Sequence, residues 1–108
     1  MKSAPILLAS LLLALSSLPA QALSPQRRAE LKNLVLEDCG ACHGSRLKGG
    51  LGPSLLPERL GRLPDALLEQ TILEGRPGTP MPPWKAYLTP EEARWIVRQL
   101  KQGSLLPH

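Results

Sequence analysis

Two thiols and an imidazole stand within five residues in Cys39-Gly40-Ala41-Cys42-His43. A Cys-x-x-Cys-His string is the attachment signature of a c-type haem. Each thiol adds across one vinyl group, and the His that follows supplies an axial imidazole to the iron. Gly40 and Ala41 are small, which lets the loop lie against the porphyrin edge. The string occurs once, so one covalently bound haem c is expected. Other chemistry of paired cysteines fits less well. A structural zinc site takes four ligands, and the chain has no second cysteine pair. A thioredoxin-type pair sits near a βαβ pattern, which this sequence lacks. A Cys39–Cys42 disulfide would close a very short loop and stabilise little.

What stands on the other face of such an iron decides its chemistry. The chain has two Met and two His. Met1 falls in an N-terminal leader and His43 is already assigned, which leaves Met81, His108, a lysine or an open position. Met81 sits in Gly78-Thr79-Pro80-Met81-Pro82-Pro83. Proline fixes φ and restricts the residue before it, so this loop can hold a thioether in place without regular structure. A Met that merely fills a core gap more often lies in a helix. His108 ends a tail containing Gly and Pro, where fraying is expected. Because His/Met ligation recurs in haem proteins of this kind, Met81 is the expected sixth ligand.

These residues need elements to position them. Lys2 is the only charge before an apolar run from Ile6 to Leu15, which is followed by Pro19 and Ala20-Gln21-Ala22. That pattern predicts a cleaved secretory signal peptide over residues 1–22 and one domain over 23–108. The run is shorter than the roughly 20 apolar residues that span a bilayer. Three helical patches follow, joined by Pro/Gly-rich loops, and no strand is convincing. Ser24 with Pro25 opens the first, towards Glu37, with Leu31, Leu34 and Val35 on one face. The second runs from about Pro64 to Glu74 and stops at Gly75. Thr89-Pro90-Glu91-Glu92 is a capping box for the third, whose apolar side carries Ala93, Ile96, Val97 and Leu100. The expected class is all-α. With no Phe, two Trp and one Tyr, so small a domain needs the flat apolar mass of a porphyrin to complete its core.

The chain resembles class I cytochromes c. The resemblance is carried by Cys-x-x-Cys-His near the N-terminus, a Gly-Pro pair soon after, and a Met loop before the last helix. Within that class it is similar to the small bacterial c-55X type found beside the two-haem dissimilatory nitrite reductase. The narrower match rests on Asp38-Cys39-Gly40-Ala41-Cys42-His43-Gly44, on Gly75-Arg76-Pro77-Gly78-Thr79-Pro80-Met81-Pro82-Pro83-Trp84, and on Glu91-Glu92-Ala93-Arg94-Trp95. The resemblance implies that Cys39 and Cys42 form the haem thioethers and that His43 and Met81 are axial iron ligands. It further implies that the Pro53 carbonyl accepts the imidazole N–H. The first and last helices of the family cross closely, a small residue meeting an aromatic, for which Ala29 and Trp95 are the candidates. Trp84, Arg59 and Arg62 are candidate donors to the haem propionates.

Without Lys2 the mature chain carries a net charge of +3. Arg46, Lys48, Arg59, Arg62, Arg76 and Lys85 flank the haem motifs, a basic rim able to steer an acidic partner. Nucleic-acid binding would need a denser basic face. The resemblance thus implies a periplasmic single-electron carrier, monomeric and without a permanent membrane anchor, which is not an enzyme. It serves redox partner proteins, nitrite reductase among them, in nitrite respiration. A maturation or assembly factor for that reductase or its special haem is the alternative, followed by a ligand-binding sensory cytochrome.

Overall fold

Ser24 is extended (φ −67°, ψ 156°), and its hydroxyl accepts the Arg27 amide at 3.0 Å, while Pro25 takes the first helical position. The hydroxyl satisfies one amide that a helix start leaves unpaired, and proline removes another. Helix α1 (Pro25–Leu34) follows in the computed structural model, which describes residues 22–107. The predicted signal peptide therefore lies almost wholly outside the described residues, as does His108.

The first helical run goes further than Glu37. It widens into a π-helical stretch over Val35–Cys39 and tightens again as α2 (Gly40–His43). Within the wide turn the Gly40 amide donates to the Val35 carbonyl, five residues back. Leu31 in α1 and Val35 at the start of the wide stretch are fully buried. The extra residue in that turn shifts all that follows by one position, about 100° around the axis.

The remaining helices are α3 (Pro57–Leu60), α4 (Asp65–Glu74) and α5 (Pro90–Gln102). Thr89 accepts the Glu92 amide at 3.1 Å while Glu92 accepts the Thr89 amide at 3.0 Å, so the capping box predicted from sequence is formed. Gly103 closes α5 in the left-handed conformation. The described residues are helix and loop with no strand. Leu31, Val35, Ile96 and Leu100 form one core with Leu47, Leu60, Leu88 and Leu105, and α4 packs against α5. Ala29 is exposed, so it is not the small residue of a helix crossing. α1 instead turns Leu31 and Val35 into the core that holds Ile96 and Leu100, and Trp95 packs half-buried against the same cluster. The one-turn helix α3 was not legible in sequence, being too short to show a period.

A further tie joins α1 to the start of α5. Arg27 donates from Nε to Glu92 Oε2 at 2.6 Å and from Nη2 to Oε1 at 3.2 Å. It also reaches the Tyr87 carbonyl at 3.3 Å and Glu30 at 2.9 Å. Glu92 is 8% exposed. The Arg27 hydrogen bond holds its carboxyl below the ordinary range, outweighing the opposite pull of burial. A carboxylate depressed in the fold stabilises fully above its unfolded pKa of about 4.3, and that contribution fades as pH falls through the lower folded value. Glu92→Ala, which also removes half of the capping box, is expected to cost about 2 kcal/mol at pH 7 by denaturant titration. Glu92→Gln should flatten the loss of stability below about pH 4 relative to wild type. Parallel acid titration curves for the two proteins would refute this role.

Candidate functional site

After the wide turn, the helical run from α1 to α2 delivers Cys39, Cys42 and His43 to the wall of one cavity of about 820 Å³. The chain then doubles back under its own helix end. The Gly49 amide donates to the His43 carbonyl at 2.8 Å, and the Gly52 amide to the Cys42 carbonyl at 2.8 Å. This return brings Pro53 beside the imidazole. His43 Nδ1 lies 2.7 Å from the Pro53 carbonyl oxygen. A carbonyl can only accept, so Nδ1 carries the proton and donates it, which leaves Nε2 with a free lone pair. A bond of this kind also fixes the ring orientation of a metal-ligating His.

Gly52 leaves the space the ring occupies. A Cβ at this position would lie 2.7 Å from His43 Cε1 and 2.8 Å from Nδ1. No side chain is compatible with the imidazole where it stands. Both cysteines are free thiols and half-buried. Burial, with the nearby Asp38 charge and Cys42, pushes the Cys39 thiol up to about 11.

The opposite wall comes from α4 and the segment that follows it. α4 contains Ala66, Leu67, Leu68, Ile72 and Leu73 yet has no fully buried residue. Leu67 and Leu68 line the cavity with Leu63 and Leu51, and Leu51 and Leu67 are 76% and 49% exposed. An exposed apolar wall of this kind marks a binding surface, and the flat face of a porphyrin would cover it. Met81, between Pro80 and Pro82, lies in the same lining. Its loop is stapled to the helix, since the Trp84 and Lys85 amides donate to the Ile72 and Leu73 carbonyls at 3.0 and 3.2 Å.

The five sequence-predicted site residues, Cys39, Cys42, His43, Pro53 and Met81, therefore meet at one cavity. Of the candidate propionate donors, Arg59 and Trp84 line it and Arg62 does not. Arg76, first counted with the basic rim, is also in the lining. This set fits a covalently bound haem: two thiols for its vinyl groups, an imidazole and a thioether for its iron, and leucine walls for the macrocycle. Arg59, Arg76 and the Trp84 indole supply cationic and N–H donors suited to its carboxylates. Among the described residues no other group of His, Cys, Asp and Glu is placed to hold a metal ion. What sequence reading missed is the spacing work of Gly52, which shows only once the imidazole is located.

Comparison with known proteins agrees with this geometry. A family model described as cytochrome c oxidase, cbb3-type, subunit III matches residues 26–98. The chain is 51% identical over 82 residues to a cytochrome c55X of Pseudomonas aeruginosa, covering 76% of this chain and 69% of that protein. The solved structure of a c-type cytochrome, NirC, superposes with a TM-score of 0.77 at 49% identity, over 79% of this chain and all of that one. The chain is also 35% identical over 102 residues to a dihydro-heme d1 dehydrogenase of Pseudomonas aeruginosa, of which the match covers 21%.

Proposed function

The chain belongs to the c-type cytochromes, the family of cytochrome c55X, and from that membership we propose a periplasmic one-electron carrier of nitrite respiration with His43 and Met81 as its iron ligands. Membership makes it a haem c protein that transfers electrons to and from redox partners and is not an enzyme. Haem bound through two thioethers supplies a one-electron iron couple. The chain's residues determine how that couple is used. Cys39 and Cys42 fasten the macrocycle, and the Pro53 carbonyl orients His43 and makes its imidazole more basic. Met81 would supply the iron with a thioether at the second axial position, a ligand that would favour a relatively high potential and would leave no place for substrate.

The convergence of Cys39, Cys42, His43 and Met81 on one apolar-walled cavity carries this reading. The nitrite link and the periplasmic location rest on the relatives' names and on the leader-like residues 1–22. No helix of the described residues is long and apolar enough to cross a membrane. Arg46, Lys48 and Arg62 are exposed near the haem motif or the cavity, which suits brief encounters between a monomer and an acidic redox partner. Lys85 spends part of its charge on Glu74, at 3.1 Å.

Optical spectra of the purified protein, oxidised and reduced, test the reading. The oxidised form should show the weak far-red band of a sulfur–iron bond, and the reduced form should not change on adding carbon monoxide. A missing band together with ready carbon monoxide binding would turn the assignment to a ligand-binding sensory cytochrome.

A second reading draws on the identity to a segment of a dihydro-heme d1 dehydrogenase. In it the carrier serves maturation of the reductase's special haem. Deleting the gene separates the two roles. A reductase that lacks its special haem supports maturation, and an intact reductase that turns over slowly supports electron supply.

A further inference from the structure

Met81 is the only residue of Pro80-Met81-Pro82-Pro83 with an amide N–H, because the other three are prolines. That amide donates to the Thr79 hydroxyl oxygen at 3.3 Å. The same hydroxyl donates to the Arg76 carbonyl at 2.7 Å. Two further bonds run along this path. The Thr79 amide donates to the Arg76 carbonyl at 3.1 Å, and the Arg76 amide donates to the Met81 carbonyl at 3.1 Å. Residues 76–81 thus form a closed ring in which one side-chain hydroxyl bridges the outgoing and returning strands of the loop.

Gly75 sets where the ring sits. Its φ is +71°, and a Cβ there would lie 2.7 to 2.8 Å from the Met81 carbonyl oxygen, the Pro82 carbonyl carbon and the Pro83 nitrogen. The returning chain is therefore pressed against buried Gly75 at the C-terminal end of α4, and Met81 is bonded within the loop to Arg76 and Thr79. The prolines stiffen the loop but donate no hydrogen bonds, so they cannot fix its register. The threonine hydroxyl, with the Arg76–Met81 and Thr79–Arg76 backbone bonds, supplies that register.

We propose that Thr79 is the positioning residue of the Met81 loop: its hydroxyl holds the loop closed and so sets how often the thioether leaves the iron. This rests on Met81 being the sixth ligand. Loss of both hydroxyl bonds should raise the open population about tenfold, given the net worth of a typical pair of hydrogen bonds. An added ligand that must wait for the open state then binds about tenfold more tightly, since its apparent affinity scales with that population.

Imidazole titration of the oxidised holoprotein reads this directly, using wild type, Thr79→Val and Thr79→Ser. Valine keeps the shape and loses the hydroxyl, whereas serine keeps the hydroxyl. The expected result is about tenfold tighter imidazole binding and a thermal midpoint lowered by only a few degrees in Thr79→Val, with both near wild type in Thr79→Ser. Equal affinity in wild type and Thr79→Val would overturn the proposal, and so would a serine variant that behaves like valine. The far-red sulfur–iron band of wild type separates the two levels of the claim. A wild type without that band refutes Met81 ligation, whereas a wild type with the band and an inert Thr79→Val refutes only the role of Thr79.

Discussion

Met81→Ala is expected to yield a holoprotein whose reduced form takes up carbon monoxide in full, while wild type should take up none. Its reduction potential should fall well below that of wild type. Both effects follow from a single lost thioether. Cys39, Cys42 and the His43–Pro53 bond are not touched by the substitution, so haem attachment and the proximal ligand should persist. The second axial position becomes open, and the stabilisation that a Met thioether gives to the reduced iron is gone. The expected effect is large because a thioether on the iron would exclude other ligands, whereas the variant has nothing left to exclude them. Met81→His is the matched control. It should keep carbon monoxide out while also lowering the potential, because a second imidazole fills the site but favours the oxidised iron. If Met81→Ala kept the wild-type potential and still refused carbon monoxide, Met81 would be an ordinary loop residue. A lysine or the C-terminal tail would then supply the ligand.

Gly52→Ala is expected to be the single-methyl change that most directly displaces the His43 imidazole. The added Cβ would fall 2.7 Å from an imidazole carbon, far inside ordinary contact, and the ring cannot retreat without lengthening its 2.7 Å bond to Pro53. Moving the backbone instead strains the Gly52–Cys42 hydrogen bond that folds the loop beneath the cysteine pair. Either route costs about 3 kcal/mol, the upper range for overpacking a tight site. The expected observations are a lower thermal midpoint of the purified holoprotein and a shifted Nδ1–H proton resonance of His43. An unmoved resonance at wild-type stability would show that the loop yields at no cost. Gly49 is a useful comparison, since its nearest neighbour to an added Cβ is 3.4 Å away but its φ of +117° brings backbone strain instead. Gly49→Ala should therefore lower stability without disturbing the imidazole signal.

Local chemistry was readable from sequence to the extent that it is local. The Ser24-Pro25 start, the stop at Gly75 and the Thr89–Glu92 box each depend on bonds within a few residues, and each stands where residue order places it. The meeting of Met81 with the Cys39–His43 segment across one cavity was legible for a different reason. So few residue types can bind iron that composition left little choice. Features that depend on distant neighbours were hidden. Ala29 looked like a crossing residue because it is small, but smallness matters only on the inner face, and α1 turns it outward. Arg27 is an ordinary surface arginine in sequence. Its pairing with Glu92, 65 residues away, appears only when α1 and the start of α5 are brought together. Leu47 is the most opaque case: a leucine with φ of 59°, fully buried, in a loop where sequence preference would put glycine.

The wide turn over Val35–Cys39 lets one continuous helix answer to two masters. Upstream, side-chain placement is dictated by fit against the core, and downstream by the positions of two vinyl carbons and an iron atom. A uniform helix would tie these demands rigidly together, so that a one-residue change in how α1 packs would swing both sulfurs off target. A turn that absorbs an extra residue acts as an adjustable joint between them. The packing half can thus meet the core while the bond-forming half keeps its aim at the cavity.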